Sequence, residues 1–277
     1  MHYVLNALRG ALIGSAELVP GISGGTVALI VGIYERALHN ANALFKLKFR
    51  EVEWGFLASV AVGMLAAVFG LSTVIHSFVE NQFSASHSMF MGMVFVSITV
   101  PLLMLSPGQR SQASTWIAFA VSTVAIFFVT GYTRTDVADP SYIVIFFAAA
   151  IAICALILPG VSGSLILLTM GLYAPVIGAV SERNFVFLAV FAAGALFGLA
   201  AFVRLLEYLL DNHRGPTLGA MAGFMLGSLR ALWPFGAEQD AGAGTIIACF
   251  LLGAVVVSIF IVIDARKARA TEPTTAA

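Results

Sequence analysis

The sequence predicts an all-α polytopic membrane protein built from two inverted repeats. Each repeat is a re-entrant broken-helix hairpin followed by three transmembrane helices. Three observations lead there. The 277 residues are 60% hydrophobic and only 10% charged, whereas soluble domains carry about a quarter charged residues. Several apolar runs approach the ~20 residues that cross a bilayer. Finally, the phrase "ELVPGISGGTVALIVGIYE" at 17–35 returns as "LPGVSGSLILLTMGLYA" at 158–174.

The elements follow in order. The first hairpin covers 3–39, with apolar segments 3–18 and 26–39 around the Pro-Gly-rich phrase. Spans 54–77, 87–105 and 114–132 come next, divided by "KLKFREVE", "ENQFSASH" and "SPGQRSQ". The second hairpin covers 142–180, and its spans are 185–210, 217–233 and 244–263. A basic tail, 266–277, ends the chain. Pro20, Gly21, Ser23, Gly24, Leu29, Gly32 and Tyr34 match Pro159, Gly160, Ser162, Gly163, Leu168, Gly171 and Tyr173. After one change of register, "FLASVAVGML" meets "FLAVFAAGAL", and Gly92 and Ser97 meet Gly223 and Ser228. The units are therefore 1–134 and 142–265.

Three crossings per unit make the two units face opposite ways. The positive-inside tendency agrees: Lys46, Lys48, Arg50, Arg110, Arg214 and the Arg266/Lys267/Arg269 tail fall on the cytoplasmic side. The acidic loops at Glu80 and Glu238/Asp240 fall outside, with Arg134 and Arg183 as outer exceptions. The competing arrangement makes each broken pair a full crossing. It gives parallel units and puts the Lys46 loop outside.

Irregular backbone inside a membrane needs protein or a polar cavity to receive its N–H and C=O groups. Matched breaks in inverted units point to a transporter's central site. Proline stops the first half-helix, and glycines permit the turn. Ser23 and Thr26, or Ser162 and Ser164, are placed to cap the second half-helix. Free N–H groups and the helix dipole there favour an anion such as phosphate or carboxylate. The bland alternative is that small residues only serve helix packing, which is our reading of Gly194 and Gly198.

Charges within apolar segments are costly and suggest function. Glu17 abuts the break and cannot reach water. Arg9 and Arg230 have snorkelling as an alternative, and Arg204 and Glu207 could simply pair on one helix face. Glu35 and Arg36 are read as solvated, and His76 as interfacial. Glu17, Arg204 and Arg230 have Leu156, Thr73 and Thr99 as their repeat counterparts, so the expected site is chemically one-sided. Cys154 and Cys249 are free thiols in apolar runs. No metal site or cofactor is expected, and zero net charge gives no reason to expect a nucleic-acid partner.

"VPGISGGTVALIVGIYE" and its echo resemble the bacterial polyprenyl-phosphate transporters. The likeness covers nearly the whole chain. It implies a multi-pass protein of the bacterial inner membrane that returns undecaprenyl phosphate, the lipid carrier of cell-wall precursors, from the outer to the inner leaflet. Pro20, Gly21, Ser23, Gly24, Gly25 and Thr26 match the family phrase directly. In the second copy, Pro159, Gly160, Ser162 and Gly163 are kept, while Ser164 and Leu165 replace the second glycine and the threonine. Together with Arg9, Arg204 and Arg230 these are the expected headgroup residues. Glu17 and Glu207 are the expected proton-coupling residues. The expected partners are a polyprenyl-phosphate lipid, the bilayer and protons; oligomeric state is left open, a homodimer included.

The strongest rival is an enzyme. Undecaprenyl-pyrophosphate phosphatases carry a similar signature, PGxSRSxxT. Here Gly24 stands in place of the arginine and Gly25 in place of the serine, which removes the cation needed to stabilise a charged transition state. A small-anion carrier or channel is the second rival, because glycine-serine breaks also line anion paths.

Overall fold

The computed structural model describes residues 2–17, 24–131, 137, 140–235 and 239–271. Among these, the secondary structure is entirely helical. The chain is an all-α, multi-pass membrane protein. Trp54–Ser72, Phe83–Leu103, Phe185–Asn212 and Ala243–Val262 are each long and apolar enough to cross a bilayer, and Ala113–Val129 and Tyr142–Ile157 are shorter apolar helices. Side chains such as Val62, Phe69, Val121, Phe128, Ile143, Leu196 and Leu251 lie exposed along these helices, as lipid-facing surfaces do.

The helices are α1 (His2–Glu17), α2 (Gly24–Ile30), α3 (Tyr34–Phe45), α4 (Trp54–Asn81), α5 (Phe83–Ser97), α6 (Thr99–Leu103), α7 (Pro107–Arg110) and α8 (Ala113–Val129). Then come α9 (Tyr142–Ile157), α10 (Gly163–Thr169), α11 (Tyr173–Ser181), α12 (Phe185–Asn212), α13 (Arg214–Ser228), a 3-10 turn (Leu229–Leu232) and α14 (Ala243–Thr271). The lengths recur. The series α1 to α5 has 16, 7, 12, 28 and 15 residues, and α9 to α13 has 16, 7, 9, 28 and 15.

Each apolar segment after a Pro-Gly phrase is two helices rather than one. The sequence predicts a single segment over 26–39, because the apolar pattern continues through Gly32. The backbone does not. Gly32 has φ 71° and Gly171 φ 69°, a left-handed conformation that glycine adopts without penalty. The Gly32 N–H donates to the Leu29 carbonyl and the Ile33 N–H to the Ala28 carbonyl; Gly171 and Leu172 repeat this onto Leu168 and Leu167. These are paired Schellman endings. The same bonds recur at Leu47 and Arg183, both also at positive φ. Helices α10 and α11 consequently bend by 112°.

Glycines bring the long helices together. A Cβ on Gly10 or Gly63 would lie about 2 Å from the Val60 or Ala7 carbonyl oxygen (2.1 and 1.8 Å), so α1 packs backbone to backbone on α4. Gly194 and Gly198 of α12 press in the same way on the Phe146 and Ala150 carbonyls of α9, as the packing reading of that pair expects. The third and fourth close pairings cross between the two halves of the chain. Gly92 of α5 and Gly253 of α14 meet the Phe250 and Met89 carbonyls, while Gly219, Gly223 and Gly227 of α13 meet Thr115, Phe119 and Thr123 of α8. Leu218, Met221, Ala222 and Met225 of α13 are almost fully enclosed, and they share one core with Leu29, Ile33, Val94 and Ile98.

Candidate functional site

The break after α9 is built from the chain's own stereochemistry. Leu158 turns to an extended conformation, φ −70° and ψ 130°, as a residue before proline must. Gly160 follows at φ 83°. A Cβ there would sit 2.6 Å from the Met225 backbone nitrogen, so both conformation and space demand glycine. Gly160 cannot satisfy its N–H within its own turn. It donates to Thr26 Oγ1 at 2.8 Å, and Thr26 is 2% exposed in α2. A second bond joins the same regions, from the Tyr34 hydroxyl to the Ile157 carbonyl at 3.1 Å. The start of one motif's helix thus receives the backbone donor of the other motif's break.

Ser162 holds the N-cap position of α10, but its hydroxyl makes no cap hydrogen bond. It pairs instead with the Ser164 hydroxyl at 2.8 Å. The predicted capping is therefore replaced by a serine pair. Gly163 lies where a Cβ would be 2.6 Å from the Ala152 carbonyl oxygen, so α10 folds back on α9. The serine pair lines a pocket of about 220 Å³ together with His87, Leu165, Leu168 and Tyr173.

At the first motif, Pro20, Gly21 and Ser23 lie outside the described residues. Gly24 opens α2, and its N–H donates to Glu17 Oε1 at 2.9 Å. The carboxylate fills the space beside Gly24, where a Cβ would come within 2.2 Å of Oε1. Gly25 follows in the first turn of α2, and Thr26 faces inward rather than capping its own helix.

The other predicted charges lie elsewhere. Arg9 reaches Asn6 Oδ1 at 3.4 Å on its own helix. Arg204 donates to the Phe45 carbonyl at the end of α3, 3.2 Å away. Glu207 meets His39 Nδ1 at 3.1 Å and Lys46 Nζ at 3.8 Å. Arg230 donates to the Phe127 carbonyl at 2.9 Å and stacks over that ring at 4.6 Å. Of the charged residues singled out, Glu17 lies against the start of α2, Arg204, Glu207 and Arg230 lie at contacts with other helices, and Arg9 bonds within its own helix. Glu35 and Arg36, read as solvated, carry exposed ion pairs to Arg214 and Glu53.

Sequence reasoning missed His87, Tyr34 and Tyr173. His87 comes from α5, far from the serines in the chain. Its Nδ1 lies 3.0 Å from the Phe83 carbonyl oxygen. In the sequence the two tyrosines stand out only as repeat partners. Their environments differ: Tyr34 is 6% exposed and Tyr173 41%.

Residues 13–245 match the undecaprenyl phosphate translocase-like family. The chain belongs to that family. It is 35% identical to a polyprenyl-phosphate transporter of Vibrio cholerae serotype O1 over 249 residues, covering 85% of this chain and 79% of the relative. It is 30% identical to a polyprenyl-phosphate transporter of Staphylococcus aureus over 247 residues, covering 83% and 86%. No solved structure matches. The translocase-like family is one of transporters and not of enzymes, which sets aside the phosphatase reading of the Pro-Gly-Ser phrase.

Proposed function

We propose that this chain is a flippase that carries polyprenyl phosphate across the bacterial cytoplasmic membrane. In this reading it returns undecaprenyl phosphate from the outer to the inner leaflet for reuse in cell-wall synthesis. The two helix series are inverted repeats, and each break opens to one side of the membrane. The observation that carries the proposal is the Thr26–Gly160 hydrogen bond, because it brings both motif copies to one junction. A phosphate head needs shelter there, while the polyprenyl tail stays in lipid. Backbone N–H groups around Gly24 and Gly25 and the Ser162–Ser164 hydroxyls supply donors for the head, with Arg9, Arg204 and Arg230 as cations engaged during movement.

Glu17 is the coupling residue of this scheme, and Glu207 its second candidate. The Glu17 carboxylate occupies the Gly24 N–H. An arriving phosphate competes for that donor, and two anions repel at short range. Protonation of Glu17 removes the repulsion, so by linkage phosphate binding and proton uptake favour one another. The test is leaflet-to-leaflet movement of polyprenyl phosphate in vesicles containing the purified protein, measured against pH. The parent accelerates the movement in a pH-dependent way. Glu17→Gln is expected to bind lipid phosphate yet lose the pH dependence. An unchanged profile in Glu17→Gln rejects the coupling role, and no acceleration by the parent rejects the flippase.

A further inference from the structure

Two apolar cavities flank the junction, and their walls correspond. The first, about 240 Å³, is lined by Phe78, Met89, Phe90 and Met93, with Thr26 and Val257. The second, about 420 Å³, is lined by Leu209, Ala220, Met221 and Phe224, with Leu158 and His213. Phe78 pairs with Leu209, Met89 with Ala220, Phe90 with Met221 and Met93 with Phe224. Each pair is separated by the same interval that relates Gly92 to Gly223. The first cavity runs along α5 from Met89 to Ser97, the second along α13 from Pro216 to Phe224, and neither is enclosed.

Both begin at the junction. Thr26, which lines the first, accepts the Gly160 N–H; Leu158, which lines the second, stands at the start of that break. Their hydroxyls are turned away from the space. Ser15 donates to the Ala11 carbonyl, Ser97 to Met93 and Thr217 to His213, so the walls present mainly carbon. Water and a charged head lack partners in such a space. Hydrocarbon does not, and methionines adapt to flexible chains. An engineered cavity of ~150 Å³ takes a benzene-sized guest, so each of these holds at least one five-carbon unit.

We propose that the two cavities seat the isoprene units next to the phosphate, one on each side of the membrane, while the rest of the tail stays in lipid. This rests on the polyprenyl-phosphate reading above. It also requires the first isoprene unit to join directly to a phosphate at the junction, as it does in a polyprenyl phosphate. A diacyl phospholipid interposes its glycerol there.

A photoactivatable farnesyl phosphate, with the reactive group on its tail, tests the proposal in the full-length parent protein. Crosslinks are expected between Met89 and Val94 and between Ala220 and Phe224. Met93→Trp together with Ala220→Trp fills both cavities. It is expected to weaken farnesyl phosphate binding at least about tenfold, the loss for as few as one or two of the five carbons, while inorganic phosphate competes as in the parent. Crosslinks confined to the outer faces of α4 and α12 overturn the proposal. So does equal labelling of the cavities by a photoactivatable phosphatidylcholine, and so does unweakened binding in the filled variant. In those three cases headgroup binding survives and the transport reading stands. If the parent binds neither farnesyl phosphate nor inorganic phosphate, both fall together.

Discussion

Thr26 shows how much one hydroxyl can hold. Replacing it with valine keeps the shape but leaves the buried Gly160 N–H without its acceptor, a loss worth about 1–3 kcal/mol. Thr26→Val should therefore lower the thermal midpoint in detergent, and Thr26→Ser should recover most of it. Equal midpoints for all three proteins would show that the bond is idle. A second residue effect concerns pH. Arg36 donates to Glu53, and with help from Asn40 it pulls that carboxyl down to about 2. The folded value lies below the ordinary one, so this pair stabilises above the ordinary carboxylate range and its contribution fades as pH falls toward 2. Arg36→Ala should flatten the acid side of the stability profile; an unchanged acid limb would contradict this. At this scale the sequence was partly legible. Pro159 and Gly160 announced the break after α9, because their backbone rules are local. The partners of Thr26, Tyr34 and His87 are distant in the chain, and nothing local names them. The partners of Arg204, Glu207 and Arg230 are carbonyls and charges of other helices, and the local sequence does not name those either.

Helices pair here through glycine at four crossings, and the pairing makes a graded prediction. A Cβ on Gly63 would lie 1.8 Å from the Ala7 carbonyl oxygen, but one on Gly70 in the same helix meets nothing within 4 Å. Gly63→Val should abolish folded protein on size-exclusion chromatography, whereas Gly70→Val should elute like the parent. Similar behaviour of the two variants would show that α1 and α4 can separate at little cost. The long helices were readable from hydropathy alone, because lipid rewards continuous apolar length. The seven-residue helices were not. Gly32 and Gly171 end them through left-handed φ, and an apolar pattern carries no record of dihedral angles.

The whole molecule depends on how its two helix series are interleaved. Helix α5 closes on α14 and α13 on α8, so neither series is a separable unit. The recurrence was visible in the sequence; the exchange of partners was not, since a repeat gives order along the chain and not neighbours in space. The central claim is that the two series face opposite ways around one junction. Single cysteines at Lys48, Gln82, Gln112 and Gln239, all on exposed positions, test it most directly with a membrane-impermeant thiol reagent, in a background whose Cys154 and Cys249 are replaced by serine. The account predicts that Lys48 and Gln112 label only from the cytoplasmic side and Gln82 and Gln239 only from outside. Labelling of Lys48 and Gln82 from the same side would contradict it.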